Sequence, residues 1–167
     1  MKKPILVKTE LDEPTRELVK KCDHRILGIW AADCAERVLP HFEEKYPKDD
    51  RPRKAIEALR TWIKNGTFKM ANVRKTSLDA HAAAREVKET DEAARSAARS
   101  AGQAIATAHV PTHSIVAAIY AVSAIRNATN SMDTTMNERN WQYHHLLSLN
   151  ETFEKSHTQK QKLWRGF

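Results

Sequence analysis

The placement of glycine and proline constrains the fold of this chain more than any other feature of its sequence. The 167 residues include 4 glycines and 6 prolines, and most of these lie between segments whose apolar residues recur every three or four positions. That spacing is typical of amphipathic helices, whereas half-buried strands show strict alternation. The sequence therefore predicts an all-α fold, an antiparallel helical bundle or a stack of about six to seven helices.

Local signals indicate where these helices begin and end. Pro40 is expected to bend or interrupt the second helix, because proline removes a backbone donor and its ring crowds the preceding turn. Asp50 is expected to cap the third helix, and Gly66 to end it. The predicted helices cover approximately residues 12–21, 23–46, 50–66, 69–87, 91–108 and 112–127, and a last one runs from about residue 135 to past residue 150.

The chain is expected to form one domain, because its length suits one domain and no flexible linker divides it. We assign residues 1–11 to an N-terminal arm, 12–154 to the helical core and 155–167 to a polar tail that is expected to fray or be disordered.

The fifth predicted helix is rich in alanine and contains Gly102. Small side chains on nearly every side let neighbouring helices approach closely, so we expect this helix to lie at the centre of the fold. High helix propensity, which alanine supplies anywhere, is the alternative explanation. A homo-oligomer that pairs through alanine-rich helices is a further possibility.

The composition also bears on the compartment. No apolar run approaches the ~18 residues that a membrane span needs, and the N-terminus shows no secretory signal. Cys22 and Cys34 are interpreted as free thiols in a reducing compartment, since a chain of this size needs no disulfide framework. We expect a soluble, cytoplasmic protein with no membrane partner.

The formal net charge of +7 raises the question of a nucleic-acid partner. Residues 1–66, 67–128 and 129–167 carry net charges of +3, +3 and +1, so the positive charge is spread along the chain. A phosphate-binding surface more often gathers Lys and Arg on one element with aromatic residues between them. We therefore interpret the charge as a solvated basic surface.

Several charged residues fall beside the apolar faces of the predicted helices. Buried charge costs several kcal/mol unless it is paired, so the arginines there need carboxylates or carbonyls. Asp33 precedes Arg37 by four positions, the favourable order for a pair on one helix. The predicted polar network consists of Asp33, Arg37, Asp50 and Arg85, with Arg53 and Arg60 on the third helix.

Two interpretations of these arginines are open. They could fix the register of the helices through salt bridges, which we favour, or they could line a groove for an acidic group of a partner. Trp62 and Trp141 could anchor such an interface, since tryptophan and arginine dominate binding hot spots. The candidate partner-binding residues are therefore Arg53, Arg60, Trp62 and Trp141.

Three histidines are weak candidates for a metal site. His109 and His113 have the spacing of helical ligands, but Pro111 lies between them, and the glutamate of a zinc-protease signature is absent. His81 is the most plausible third ligand. We predict no metal and no cofactor.

The sequence shows no arrangement typical of catalysis. It contains no Gly-rich phosphate loop, no serine in a strand-to-helix elbow and no cysteine beside an evident base. Cys34 lies on a core stripe and is interpreted as a packed thiol. We therefore expect a protein that is not an enzyme.

Taken in order, several segments resemble the immunity proteins of bacterial polymorphic toxin systems. The set covers approximately residues 23–149, while the arm and the tail lie outside it. The segments are WAADCAERVL (30–39), DRPRKAIEA (50–58), AHAAAR (80–85), AARSAGQA (97–104), Ala108-His109 with His113, and ERNWQ (138–142).

This resemblance implies a small all-helical protein, encoded beside a toxin, that neutralises the toxin by binding it. It carries over no catalytic residue. Nuclease toxins tend to be basic, and a partner with a charge of +7 suits them poorly. We therefore predict a toxin with an acidic binding face. The alternatives are a nucleic-acid-associated helical protein and a metal-dependent helical enzyme built on the three histidines.

Overall fold

A computed structural model of the chain describes residues 8–165, with side chains described as far as residue 159. Within that range there are seven longer helices, one helix of a single turn, and no strand, which confirms the predicted all-α fold. The helices are α1 (Asp12–Lys21), α2 (His24–Val38), α3 (Pro40–Glu43), α4 (Arg51–Asn65), α5 (Met70–Glu86), α6 (Glu92–Ala106), α7 (His113–Thr129) and α8 (Met132–Arg165). None of these helices combines the length and the apolar character that crossing a bilayer requires.

Helix α6 lies at the centre, as its alanine content predicts. It packs against α2, α3, α4, α5 and α7, and five of its alanines are fully buried. An alanine surface lets these neighbours approach closely. These five alanines are covered by neighbouring helices of the same chain. The buried alanines are Ala94, Ala97, Ala98, Ala101 and Ala104.

The large apolar side chains of the core come mainly from α2, α3 and α4. Trp30 and Phe42 are fully buried, as are Ile56 and Leu59. The predicted bend in the second helix occurs as a break at Leu39, after which Pro40 begins α3. Beyond this break Phe42 is buried in the core, and before it α2 packs against α4.

Buried polar groups attach α8 to the rest of the fold. The indole nitrogen of Trp30 donates to the backbone oxygen of Gln142 over 2.8 Å, and the Gln142 amide donates to the Ala118 oxygen over 3.0 Å. Arg139 is only 3% exposed, and its Nε lies 3.3 Å from Oδ1 of Asp12 in α1. Burial lowers the pKa of the Arg139 guanidinium, and the Asp12 carboxylate offsets part of that cost.

The ends of the chain differ from the sequence-based expectation. Helix α8 begins at Met132 and continues to Arg165, so it extends through most of the tail expected at 155–167. No glycine or proline occurs within α8, so no residue there breaks the helix. Residues 1–7 of the predicted arm and residues 166–167 lie outside the described range.

Of the two predicted boundaries of α4, one has the expected cause and the other does not. Gly66 ends α4 in the left-handed conformation, with a φ of 73°, as predicted. Asp50 stands at the start of α4, but its side chain makes no capping hydrogen bond. Its carboxylate binds Lys54 instead, over 2.8 Å, so the prediction of a side-chain cap is wrong.

Candidate partner-binding surfaces

Helices α2, α3 and α4 place a set of paired charges on one side of the molecule. Arg60 binds Asp33 and Glu36, each over 2.6 Å. Arg53 makes two parallel 2.8 Å hydrogen bonds to Glu43 and reaches Glu36 at 3.2 Å. These five residues are called the ion-paired surface below. Its two arginines face three carboxylates, so its net charge is not positive.

Trp141 lies beside this surface and holds two further side chains. The Arg37 guanidinium lies 3.8 Å from the centre of the Trp141 ring, and the His145 ring stacks on Trp141 with 4.8 Å between centres. Arg37 also makes a two-point contact with Glu138, over 3.1 and 2.9 Å. Hydrogen bonding to Glu138, which is 6% exposed, raises the pKa of Arg37.

The predicted pairing of Asp33 with Arg37 is wrong. Oδ1 of Asp33 binds Arg60, and Oδ2 lies 2.6 Å from Nε2 of His145. Arg37 turns to Glu138 instead. Both acceptor oxygens of Asp33 are therefore used by helices other than its own, and these tertiary contacts outweigh the few tenths of a kcal/mol of a local pair.

The space between these groups is a shallow, open cleft of about 320 Å³. It is lined by Asp33, Glu36, Arg37, Trp141 and His145. An arginine stacked on a half-buried tryptophan is a preorganised pair of the kind that anchors protein interfaces. Two of the residues that line the cleft, Asp33 and Glu36, are also the carboxylates that bind Arg60.

The other predicted site residues lie elsewhere. Trp62 is 8% exposed and its ring lies 4.9 Å from that of His24, so it belongs to the core and forms a wall of a separate cavity of about 530 Å³. Asp50 is exposed and pairs with Lys54. Arg85 is exposed on α5, and no side chain within residues 8–159 forms an ion pair with it. Neither Asp50 nor Arg85 belongs to the predicted network.

A glutamine connects two of the predicted histidines. Nε2 of Gln103 lies 3.4 Å from Nε2 of His81, and Oε1 of Gln103 lies 2.7 Å from Nδ1 of His113. The ring of His109 lies 5.4 Å from that of His113. Among the side chains that the structure describes, no three His, Cys, Asp or Glu could hold a metal ion, so these histidines are not gathered as a metal enzyme would require.

The protonation of these histidines follows from their surroundings. Burial, followed by the charges of Arg99 and Arg85, lowers the pKa of His81. Burial and the neighbouring His109 lower the pKa of His113. The Gln103 amide N–H can donate to His81 only if His81 Nε2 is unprotonated, so geometry and pKa agree on a neutral His81 at pH 7.

Both cysteines are free thiols, as predicted. Cys34 is fully buried in α2, and burial raises its pKa well above the ordinary value. Burial, together with Glu154 and Asp23, raises the pKa of Cys22 to about 11. Neither thiol is poised to form the reactive thiolate.

Sequence reasoning missed His145, Glu138 and Gln103. Glu138, Trp141 and His145 follow one another at spacings of three and four, so they share a face of α8. That stripe of polar and aromatic residues was a usable signal. No such pattern marked Gln103 in the sequence, because only the packing of α5 and α7 on α6 places histidines on both sides of it.

The described part of the chain is thus all-helical, with paired arginines beside an open aromatic cleft, and a comparison with protein families makes its class specific. The family model described as Imm-5 like putative immunity protein matches residues 17–149. The chain belongs to this family, as its resemblance to immunity proteins predicted. The match extends from α1 into α8 and includes the ion-paired surface, the cleft and the histidines. No curated protein and no solved structure matched the chain.

Proposed function

We propose that this protein neutralises a bacterial toxin by binding it directly, and that it catalyses no reaction. The family match over residues 17–149 carries this proposal. The geometry supports it, because inhibition by occupancy needs a rigid surface with a few anchors and no internal chemistry.

The proposed partner is a toxin with an acidic binding face. A protein of net charge +7 associates faster with an acidic surface and is repelled by a basic one. This action takes place in the cytoplasm of the cell that makes the protein, where the toxin would otherwise act.

The test uses the toxin encoded by the neighbouring gene. For safe handling, this toxin is purified as a catalytically inactive variant. We expect a stable complex in size-exclusion chromatography and in calorimetry. Co-expression should also restore growth to cells that produce the active toxin. If no complex forms and growth is not restored, the proposal is wrong.

Catalysis is tested separately in the same system. An enzymatic antidote would act at substoichiometric amounts and leave a modified toxin, which intact-mass spectrometry detects. We expect instead that protection requires one molecule of this protein for each toxin molecule bound, with no change in toxin mass. Protection at a small fraction of the toxin concentration would contradict the non-enzymatic mechanism.

A further inference from the structure

Three arginines on helices α5 and α6 carry unbalanced charge. Arg74 and Arg85 are exposed, and Arg99 is partly exposed. No carboxylate within residues 8–159 forms an ion pair with any of them, which contrasts with the ion-paired surface. The carboxylates of α5 and α6 are bound to other cations, Asp79 to Lys75, Glu86 to Arg51 and Glu92 to Arg95.

Helices α5, α6 and α7 present these arginines on adjoining surfaces. Ser77 of α5 donates to the backbone oxygen of Gly102 in α6 over 2.9 Å, and Gln103 joins α6 to His81 and His113 on either side. Arg74, His81 and Arg85 recur at spacings of seven and four, so they share one stripe of α5. The basic face is defined here as Arg74, His81, Arg85, Arg99, Gln103 and His113.

The charge of the basic face comes from its arginines. The pKa values of His81 and His113 are both lowered, so these rings are neutral at pH 7. The positive charges of Arg85 and Arg99 both lower the pKa of His81, so both guanidinium groups lie in the neighbourhood of this ring. Neutral histidines between unpaired arginines leave the charge free to meet an incoming carboxylate.

Exposed apolar side chains border the basic face. Leu78, on the same stripe of α5, is 56% exposed, and Val110, in the turn before α7, is 37% exposed. Arginine combined with apolar and aromatic side chains is typical of protein interfaces, whereas a merely solvated surface is rich in lysine and glutamate. Tyr120, which lies 5.8 Å from the Arg99 guanidinium, extends this character along α7.

We propose that the basic face is the surface on which an acidic region of the toxin docks. This inference rests on the proposed function and specifies its interface. Each arginine of the basic face can bind a toxin carboxylate without giving up a carboxylate within residues 8–159. Arg53 and Arg60, in contrast, would have to exchange carboxylates that they already hold, so the ion-paired surface gains little from an acidic partner.

The test compares two double variants with the same change in net charge. Arg74→Glu with Arg85→Glu reverses two exposed charges on the basic face. Lys48→Glu with Lys155→Glu reverses two exposed lysines that lie outside it and form no ion pair within the described side chains. Affinity for the purified toxin is measured by calorimetry, and association rates are measured at low and moderate salt.

We expect the basic-face variant to lose about tenfold or more in affinity, mainly through slower association at low salt, and the matched variant to change by no more than about twofold. Thermal unfolding followed by circular dichroism checks that both variants are folded. Should R74E/R85E not fold, the neutral pair R74Q/R85Q replaces it, with a smaller loss expected in the same direction.

The outcomes separate this inference from the proposed function. If the wild-type protein binds no toxin, the proposed function fails. If the wild type binds and R74E/R85E binds equally well, the basic face is not the interface, although the function stands. Toxin binding lost in R53A/R60A would assign the interface to the ion-paired surface and overturn the inference. A last outcome concerns nucleic acid. If the protein binds duplex DNA at ~50 mM salt through Arg74 and Arg85 while R74E/R85E still binds the toxin, the inference is overturned and the basic face is a nucleic-acid-binding surface.

Discussion

Replacing Gly28 with alanine should destabilise this protein, although alanine is the better helix former. Gly28 is buried in α2, and a Cβ there would lie 2.5 Å from Cζ3 of Trp62 and 3.4 Å from Cγ1 of Ile63. Carbon atoms in contact lie about 3.5–4.0 Å apart, so the indole would have to move by about 1 Å. The ring is only 8% exposed and has little room to do so.

The expected magnitude is the difference between two opposing effects. Overpacking a buried site costs about 1–3 kcal/mol, and replacing glycine by alanine inside a helix contributes about 1 kcal/mol of stability. Because the opposing atom belongs to a large, rigid ring that also meets His24, we expect packing to prevail. The net loss is about 1 kcal/mol, or a fall in Tm of about 2–4 °C for a domain of this size.

A double-mutant cycle with Trp62→Leu provides the decisive measurement. Leucine lacks the Cζ3 atom, so in that background Gly28→Ala should stabilise the protein by about 1 kcal/mol, the helix-propensity gain alone. Urea unfolding followed by circular dichroism gives all four free energies. If Gly28→Ala stabilises the wild type as much as the Trp62→Leu variant, the reasoning from this contact is refuted.

The charged groups of the fold lead to the remaining predictions. Truncating Arg53 and Arg60 together to alanine should cost about 1–2 kcal/mol of unfolding free energy, since each partly exposed salt bridge contributes at most about 1 kcal/mol. Toxin affinity should stay within about twofold of wild type. Weaker toxin binding at unchanged stability would contradict this prediction. Asp12→Asn should cost about 2 kcal/mol of unfolding free energy, because it leaves the Arg139 charge buried without a carboxylate, whereas Arg139→Met should cost less. Thermal melts in which Arg139→Met is the less stable variant would contradict this prediction. The stability associated with neutral His81 is complete above the pKa of about 6.5 that this residue has in the unfolded chain, and it falls as the pH is lowered through that value. His81→Gln should therefore flatten the decline in unfolding free energy between about pH 7 and 5.5. Equal slopes in wild type and variant would exclude a contribution from His81.

The sequence was a good guide to the helices and a poor guide to the contacts between them. The break at Leu39, the left-handed Gly66 and the central position of α6 all follow from signals within a few residues of the feature itself. The extent of α8 was underestimated because a polar segment was interpreted as a tail. Polarity alone does not end a helix, and no glycine or proline occurs within α8.

The candidate site shows the same division more sharply. Arginines, tryptophans and histidines worth considering could be identified from helical spacing, which is a local property of the chain. Their partners could not, because Asp33 meets Arg60 across 27 residues and His145 across 112. Spacing on one helix favoured a pair between Asp33 and Arg37. The carboxylate that Arg37 binds is instead that of Glu138, 101 residues away on α8.

Helical periodicity in the amino-acid sequence was therefore enough to establish the all-α class and the approximate helix boundaries, and its composition established the overall positive charge. The packing of α2, α3, α4 and α8 neutralised the arginines that looked most available. Arg74, Arg85 and Arg99, in contrast, form no ion pair with a carboxylate within residues 8–159. The physical reason is the distance along the chain over which each kind of interaction acts. Backbone hydrogen bonds and side-chain spacing act within a turn or two, whereas the charge that a surface presents depends on which helices are brought side by side.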